Sequence, residues 1–303
     1  MPSFDATGDH NFKSGFIAIA GSPNVGKSTL LNRMLGEKIS ITSKKPQTTR
    51  NRILGILHRP SAQLIFIDTP GVHRASSSFN LRIVDAALSA LSDADLILLV
   101  ADATVSDQAA EQFLLDRLKN HQRPVVLALN KIDLLHKSDL LGIIDRWSAL
   151  YRFEALVPIS ARTGIQVEPL TDTIEQLMPE GPPYFAQDEL TDQPERSIAA
   201  EMIREKVFRL TGQEIPYATA VVVDAFSEAG DGRLVRIEAT IHVERDSQKG
   251  IIIGRRGQKL KQIGEAARKE IERMVGTRVY LKLFVRVQKN WSKDPKALRR
   301  FGY

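Results

Sequence analysis

No cysteine occurs among the 303 residues, which excludes disulfides, thiol redox chemistry and cysteine-based zinc sites and suits a reducing compartment. Long apolar runs are also lacking. The longest, Leu96 to Ala101 and Val125 to Leu129, fall far short of the roughly 20 residues that cross a bilayer, and they read as buried strands. Met1 to Lys13 is polar, has no apolar segment of signal-peptide length, and reads as a disordered leader on a protein that is not exported. The expected location is the cytoplasm. Neither an internal repeat nor a low-complexity tract is present.

Charge is distributed unevenly. Residues 195–303 carry 23 Lys and Arg against 14 Asp and Glu, whereas residues 1–194 carry 19 against 22. The basic C-terminal part is therefore the expected polyanion binder. A chain of this length holds two ordinary domains, and the hydrophobic pattern changes where two domains predict. From residue 14 to 180 short apolar runs alternate with amphipathic stretches, the signature of a parallel sheet covered by helices. Strands are expected near Phe16–Ala20, Ile53–Leu57, Gln63–Ile67, Leu96–Ala101, Val125–Leu129 and Ala155–Ile159. Helices are expected near Lys27–Leu35, Asn80–Ser92, Gln108–Lys119, Leu140–Leu150 and Val167–Leu177. Pro179, Pro182 and Pro183 break the last of these, and residues 181–194 read as a linker. Beyond it, residues 195–303 follow the order αββααβ, an α+β domain with its basic tail.

Gly21-Ser22-Pro23-Asn24-Val25-Gly26-Lys27-Ser28 fits the pattern G-x-x-x-x-G-K-S/T between a strand and a helix. Backbone N–H groups of such a loop wrap phosphates closely, hence the glycines. Lys27 brings charge to the β- and γ-phosphates, Ser28 offers a hydroxyl to Mg²⁺, and the helix through Thr29 aims its dipole at the anion. Asn130-Lys131-Ile132-Asp133 follows the fifth strand at the carboxyl edge, where ligands of such sheets bind. It matches the guanine reader N-K-x-D of GTPases, in which Asp133 would accept from the guanine ring N–H and amine, Lys131 pack on the base and Asn130 brace the phosphate loop. Asp68-Thr69-Pro70-Gly71 closes the third strand, placing an acid near Mg²⁺ and the Gly71 N–H near the γ-phosphate. Ser160-Ala161-Arg162 follows the sixth strand and resembles the short loop that contacts the guanine oxygen. Between the first helix and second strand, Thr48 and Thr49 both qualify to complete the Mg²⁺ shell.

One catalytic group is absent. Phosphoryl transfer usually employs a glutamine that orients water and an arginine that neutralises charge, but Val72 stands after Gly71, and an apolar side chain does neither. His73 beside it reads as an exposed turn residue. GTPases with a hydrophobic residue at this position are slow alone. Within that group, an asparagine at the position of Asn24 accompanies a K⁺ ion that substitutes for the arginine.

In the basic part, Gly254-Arg255-Arg256-Gly257 lies between two helical patterns, where a KH domain keeps its G-x-x-G loop. Such glycines allow close approach to a sugar-phosphate backbone. Ile253, Gln258, Lys259 and Lys261 flank the loop, and Lys289, Trp291 and Arg299 add charge and one ring from the tail. Trp291 either stacks on a base or pins the tail to the domain.

Together these motifs resemble the Era family of bacterial-type GTPases, from about Phe16 to Tyr303. The resemblance implies a Ras-like, doubly wound P-loop GTPase domain followed by a type II KH domain. It also implies GTP and GDP as ligands, Mg²⁺, and catalytic roles for Asn24, Lys27, Thr48, Thr49 and Gly71. The implied partners are the 3′ end of small-subunit ribosomal RNA and the small ribosomal subunit or its precursor, bound by a monomer. A peripheral contact of the basic domain with the inner face of the membrane is the weaker alternative, because no amphipathic anchor stands out.

Overall fold

The computed structural model describes residues 12–42, 52–69, 94–105, 107–119, 122–211, 215, 219–230, 232–291 and 294–301. The expected helix over Asn80–Ser92 and the residues Thr48, Thr49, Gly71, Val72 and His73 lie outside them. Described residues fall into two compact units. One comprises 12–36, 52–69 and those from 94 to 192; the other comprises 37–42 and those from 193 onward.

The first unit is built on β1 (Lys13–Ala20), β2 (Ile53–Arg59), β3 (Ala62–Asp68), β4 (Leu96–Asp102), β5 (Val125–Asn130) and β6 (Ala155–Pro158), in the order β2-β3-β1-β4-β5-β6. Helices α1 (Lys27–Leu35), α2 (Gln108–Leu118), α3 (Lys137–Leu150) and α4 (Val167–Leu177) accompany it. Strands β3, β4 and β5 are buried almost throughout, because helices on both faces leave parallel strands no wet side. Their composition is accordingly Ile, Leu, Val and Ala rather than alternating. One strand departs from the parallel pattern: β2 runs antiparallel to β3. Only residues 60 and 61 separate them, and a two-residue connection can close a hairpin but not a parallel crossover. Lys13, read as the end of a leader, opens β1 opposite Ala62.

Residues 181–192, expected as a linker, are tied along this sheet. The Gly181 N–H donates to the Phe12 carbonyl, and the Ile56 N–H on edge strand β2 donates to the Leu190 carbonyl. Buried Gln63 holds the segment with three hydrogen bonds, accepting from the Tyr184 and Phe185 amides and donating to the Phe185 carbonyl. Apolar and polar attachment together cover an edge that would otherwise invite strand pairing.

In the second unit α5 (Glu195–Leu210), α6 (Asp246–Ile253) and α7 (Gln258–Val275) pack on one face of a three-stranded sheet, β7 (Ala220–Glu228), β8 (Leu234–Val243) and β9 (Arg278–Val287). β7–β8 is antiparallel and β8–β9 parallel. Helix α7 buries Ile263, Ala267 and Ile271, a four-residue spacing that keeps one stripe on the core and leaves its basic residues outside. A short α8 (Pro295–Arg300) ends the described chain. Trp291, Leu298 and Phe301 cover Ala220 and Val222 on the sheet's other face.

Candidate nucleotide site and RNA-binding loop

Four of the sequence motifs meet at the carboxyl ends of β1, β3, β5 and β6. Gly21 has φ 150° and Gly26 φ 104°. A Cβ at Gly21 would lie 2.3 Å from the Val100 carbonyl, and one at Gly26 would lie 2.2 Å from the Asn130 side-chain nitrogen. Both positions therefore demand glycine on conformation and on space. Asn24, at φ 64°, takes the left-handed conformation that asparagine tolerates better than most residues.

Asn130 joins the loop to the base reader. Its amide donates to the Val25 carbonyl at 2.7 Å, while its Oδ1 accepts from the amides of Lys131 (2.8 Å) and Ala161 (2.9 Å). The Ala161 N–H of the 160–162 loop is thus used as a brace inside the protein. Lys131 donates from its ammonium to the Asn24 carbonyl at 2.9 Å and forms a close ion pair with Asp102. Asp133 accepts from the Ser160 hydroxyl at 2.6 Å and pairs with the exposed Arg162. These bonds, Ser160 first and Arg162 second, hold its carboxyl below the usual range and keep it ionised. An ionised carboxylate is acceptor-only, as recognition of two guanine donors requires.

Two residues of this network carried no motif. Asp102 ends β4; burial pushes its carboxyl up, but hydrogen bonds from Lys131 and Thr104 outweigh it and leave the pKa low. Its position at a strand's carboxyl end was the available signal. Arg33 on α1 donates to the carbonyls of Ala161 and Arg162, a brace between distant segments that no local pattern announces.

On the phosphate side, the Lys27 ammonium is buried and donates to the Gly21 and Ser22 carbonyls, each at 2.9 Å. Burial lowers its pKa from 10.5 to about 8, with Asp68 acting in the opposite direction. Below pH 8 Lys27 is charged in both folded and unfolded chains, so the cost of burying the charge is fully present. Between pH 8 and 10.5 the unfolded chain binds more protons, and this group's contribution to stability rises with pH. A phosphate placed at this ammonium would favour the charged form. Binding of GTP or GDP at pH 8 is therefore expected to take up about half a proton. Calorimetry in two buffers of different ionisation heat measures it, and Lys27→Arg, permanently charged, should abolish it.

The Ser28 hydroxyl donates to Asp68 Oδ2 at 2.8 Å. A hydroxyl beside a buried carboxylate is a hard oxygen pair of the kind Mg²⁺ selects when phosphates supply further ligands. Thr69 is fixed by donating to the Ile19 carbonyl at 2.7 Å. Ser22, Pro23 and Val25 lie in the same strand-to-helix turn, and Thr29 lies in the first turn of α1. Thr48, Thr49 and Gly71 stay expectations, outside the described residues.

In the second unit the Gly254–Gly257 loop joins α6 to α7. Gly254 has φ 70° and its Cβ would sit 2.5 Å from Lys259 Cβ, whereas Gly257, φ 78°, has nothing within 4 Å. Space decides at the first glycine and conformation alone at the second. Arg256 is itself left-handed at φ 50°, strain of the sort that accumulates at binding loops. Arg255, Arg256, Gln258 and Lys261 are exposed, Ile253 and Lys259 half-buried, and the N-terminus of α7 points its dipole into the loop, favouring an anion there. Lys289 and Arg299 are exposed on the tail. Trp291 requires correction as an RNA contact: it is 1% exposed and meets Phe301 edge-on at 5.2 Å. A ring that pins the tail to the sheet has no face left for a base.

Residues 16–131 match the model of the 50S ribosome-binding GTPase family, and residues 214–292 match that of the KH domain. The chain is 56% identical over 295 residues to GTPase Era of Geobacter metallireducens, covering 97% of this chain and 99% of that one. It is 49% identical to GTPase Era of Lactobacillus delbrueckii subsp. bulgaricus, covering 96% of each. Among solved structures, a tyrosine-to-alanine variant of Aquifex aeolicus Era bound to GDP and aluminium fluoride aligns with TM-score 0.92 at 40% identity, over 96% of this chain and 99% of that one. Era in complex with MgGDPNP and nucleotides 1506–1542 of 16S ribosomal RNA aligns equally well at 41% identity and the same coverage. With a phosphate loop locked to its base reader through Asn130 and a basic KH domain later in the sequence, this chain belongs to the Era family of GTPases.

Proposed function

We propose that this GTPase works as a slow, monomeric switch in the cytoplasm: it binds the 3′-end region of small-subunit ribosomal RNA through the loop Gly254–Gly257 and assists assembly of the small subunit. The observation that carries this reading is the joining, in one chain, of a guanine-specific phosphate site with an exposed Arg255–Arg256 pair at a helix N-terminus. The relative at 41% identity crystallised with both a GTP analogue and ribosomal RNA supports it.

In this reading the backbone between Gly21 and Ser28 and the Lys27 ammonium bind and orient the phosphates. Beyond its two carbonyl partners, the Lys27 ammonium has a third N–H to offer a phosphate oxygen. Asp133, kept ionised by Ser160 and Arg162, selects guanine. Ser28 and Asp68 would hold Mg²⁺, with Thr48 or Thr49 completing its shell, and the bound ion supplies charge neutralisation on the phosphates. Val72 offers nothing to orient water, so unaided turnover is slow. Asn24 is the residue through which K⁺ would stimulate it, replacing an arginine's charge.

Phosphate release measured in potassium and in sodium buffers of matched ionic strength, with and without an RNA of the small-subunit 3′ end, tests this function. Turnover is expected to be faster with potassium and to change on adding RNA. Equal rates in both salts remove the potassium role. Turnover no greater than that of Lys27→Ala under every condition would make the protein a nucleotide sensor instead, and RNA binding unaffected by Arg255→Asp/Arg256→Asp would remove the loop from the mechanism.

A further inference from the structure

The outer face of the second unit's sheet carries a feature that the Gly254 loop does not explain. In β9 the residues Val279, Leu281, Leu283, Val285 and Val287 face the core with α7. The alternation of the strand therefore turns Arg278, Tyr280, Lys282, Phe284 and Arg286 to the opposite face, and all five are exposed. Tyr280 is 57% exposed and Phe284 42%. The adjoining strand adds exposed Arg236, directly opposite Tyr280, and Glu238, opposite Lys282. The tail residues Trp291 and Phe301 cover this face at Ala220, Val222 and His242, while Tyr280 and Phe284 remain exposed.

The composition of this open end argues for one kind of occupant. Four cations, Arg236, Arg278, Lys282 and Arg286, stand against two acids, Asp224, which accepts from the Thr240 hydroxyl at 2.6 Å, and Glu238, which pairs with Lys282 at 3.3 Å, so the face keeps a net excess of two positive charges. A protein–protein patch concentrates apolar groups at its centre and sheds charge there. Here rings and cations alternate one for one along a strand. The Lys282 ammonium sits 4.8 Å from the Phe284 ring centroid, and Phe284 stays 42% exposed beside it. By strand rise, Tyr280 and Phe284 are about 13 Å apart, so separate bases can stack on the two rings while the exposed arginines beside them, Arg236 and Arg286, meet phosphates. Stacking platforms interleaved with positive charge are how proteins hold single strands without reading their sequence.

We propose that this face, Tyr280 and Phe284 with Arg236, Lys282 and Arg286, is a second single-stranded RNA surface, on the opposite side of the sheet from the Gly254–Gly257 loop. It extends the RNA-binding role proposed above by a site of different character: the loop clamps backbone, whereas the sheet stacks bases. Strand-compatible threonine removes the rings while preserving the exposed β9.

The test uses the full chain and a labelled oligouridylate of about 12 nucleotides, within the span such surfaces cover, read by fluorescence anisotropy. Tyr280→Thr/Phe284→Thr is expected to weaken binding by about tenfold or more, while Tyr280→Phe, which keeps the stacking ring, binds as the parent does. Thermal unfolding of each variant confirms that the fold is retained. Crosslinking with thiouridine in the oligonucleotide should mark the peptide containing Tyr280 and Phe284 in the parent and in Arg255→Asp/Arg256→Asp. Loss of binding in the sheet variant alone would leave this surface standing and refute the loop. Unaltered affinity after removal of both rings, with crosslinks confined to residues 254–261, overturns the proposal. Self-association that disappears with the rings while oligonucleotide binding persists would overturn it too, assigning the face to a second copy of the chain.

Discussion

Asp133→Asn is expected to lower affinity for GTP and GDP by about 10⁴- to 10⁵-fold, the range in which a site built to hydrogen-bond rejects a mismatched partner. Asp133 accepts from the Ser160 hydroxyl and Arg162, and those bonds hold it ionised. An ionised carboxylate can also receive the two adjacent donors of guanine. Asparagine presents one acceptor and one donor, and its amide would face the exocyclic amine donor to donor, leaving buried polar groups unpaired. Xanthine carries a carbonyl in place of that amine, so the variant should recover affinity for xanthosine triphosphate. Displacement of a fluorescent guanine nucleotide by GTP and by xanthosine triphosphate measures both effects. A variant that still prefers guanine would assign base recognition elsewhere.

Gly26→Ala should disable nucleotide binding through a single methyl group. The new Cβ would lie 2.2 Å from the Asn130 side-chain nitrogen, and Asn130 is the bridge from the phosphate loop to Lys131 and Ala161. Left-handed backbone costs a non-glycine residue roughly 1–2 kcal/mol, and stranding a buried hydrogen-bonding group about 1–3 kcal/mol more. Nucleotide binds only the loop geometry that this sum disfavours, so binding weakens by about two to three powers of ten. Gly36→Ala is the matched control. Gly36 is also left-handed, at φ 73°, but has nothing within 4 Å of its Cβ. It should lose about 1 kcal/mol of stability from backbone strain alone and bind nucleotide normally. Equal nucleotide affinity in the two variants would show that crowding at Asn130 is harmless.

Much of this arrangement could be read along the chain because its determinants are local. The strands β3, β4 and β5 are runs of aliphatic residues bounded by turns, and the loops at Gly21, Asp68, Asn130 and Ser160 each sit within a few residues of a strand end. The αββααβ order and the Gly254 loop were legible for the same reason. The antiparallel direction of β2 was encoded too, in the two-residue connection at 60–61, but a reading based on alternation of apolar and amphipathic segments does not register direction.

Residue order alone fixes the kinds of chemistry this protein has: a phosphate cradle with a lysine, an acid suited to guanine, a basic loop for a nucleic-acid backbone, and no glutamine after Gly71. The tertiary structure decided how those groups are held. Asp102 neutralises Lys131, Arg33 braces the 160–162 loop, and Asn130 occupies the space that a side chain at Gly26 would need. Trp291, ambiguous as a letter, is buried against Phe301, while Tyr280 and Phe284, which carried no motif, stand exposed. The division has a physical reason. Spacing along a chain fixes backbone geometry over a few residues, whereas a hydrogen bond, an ion pair or burial depends on which distant segments the packed core brings within a few ångströms.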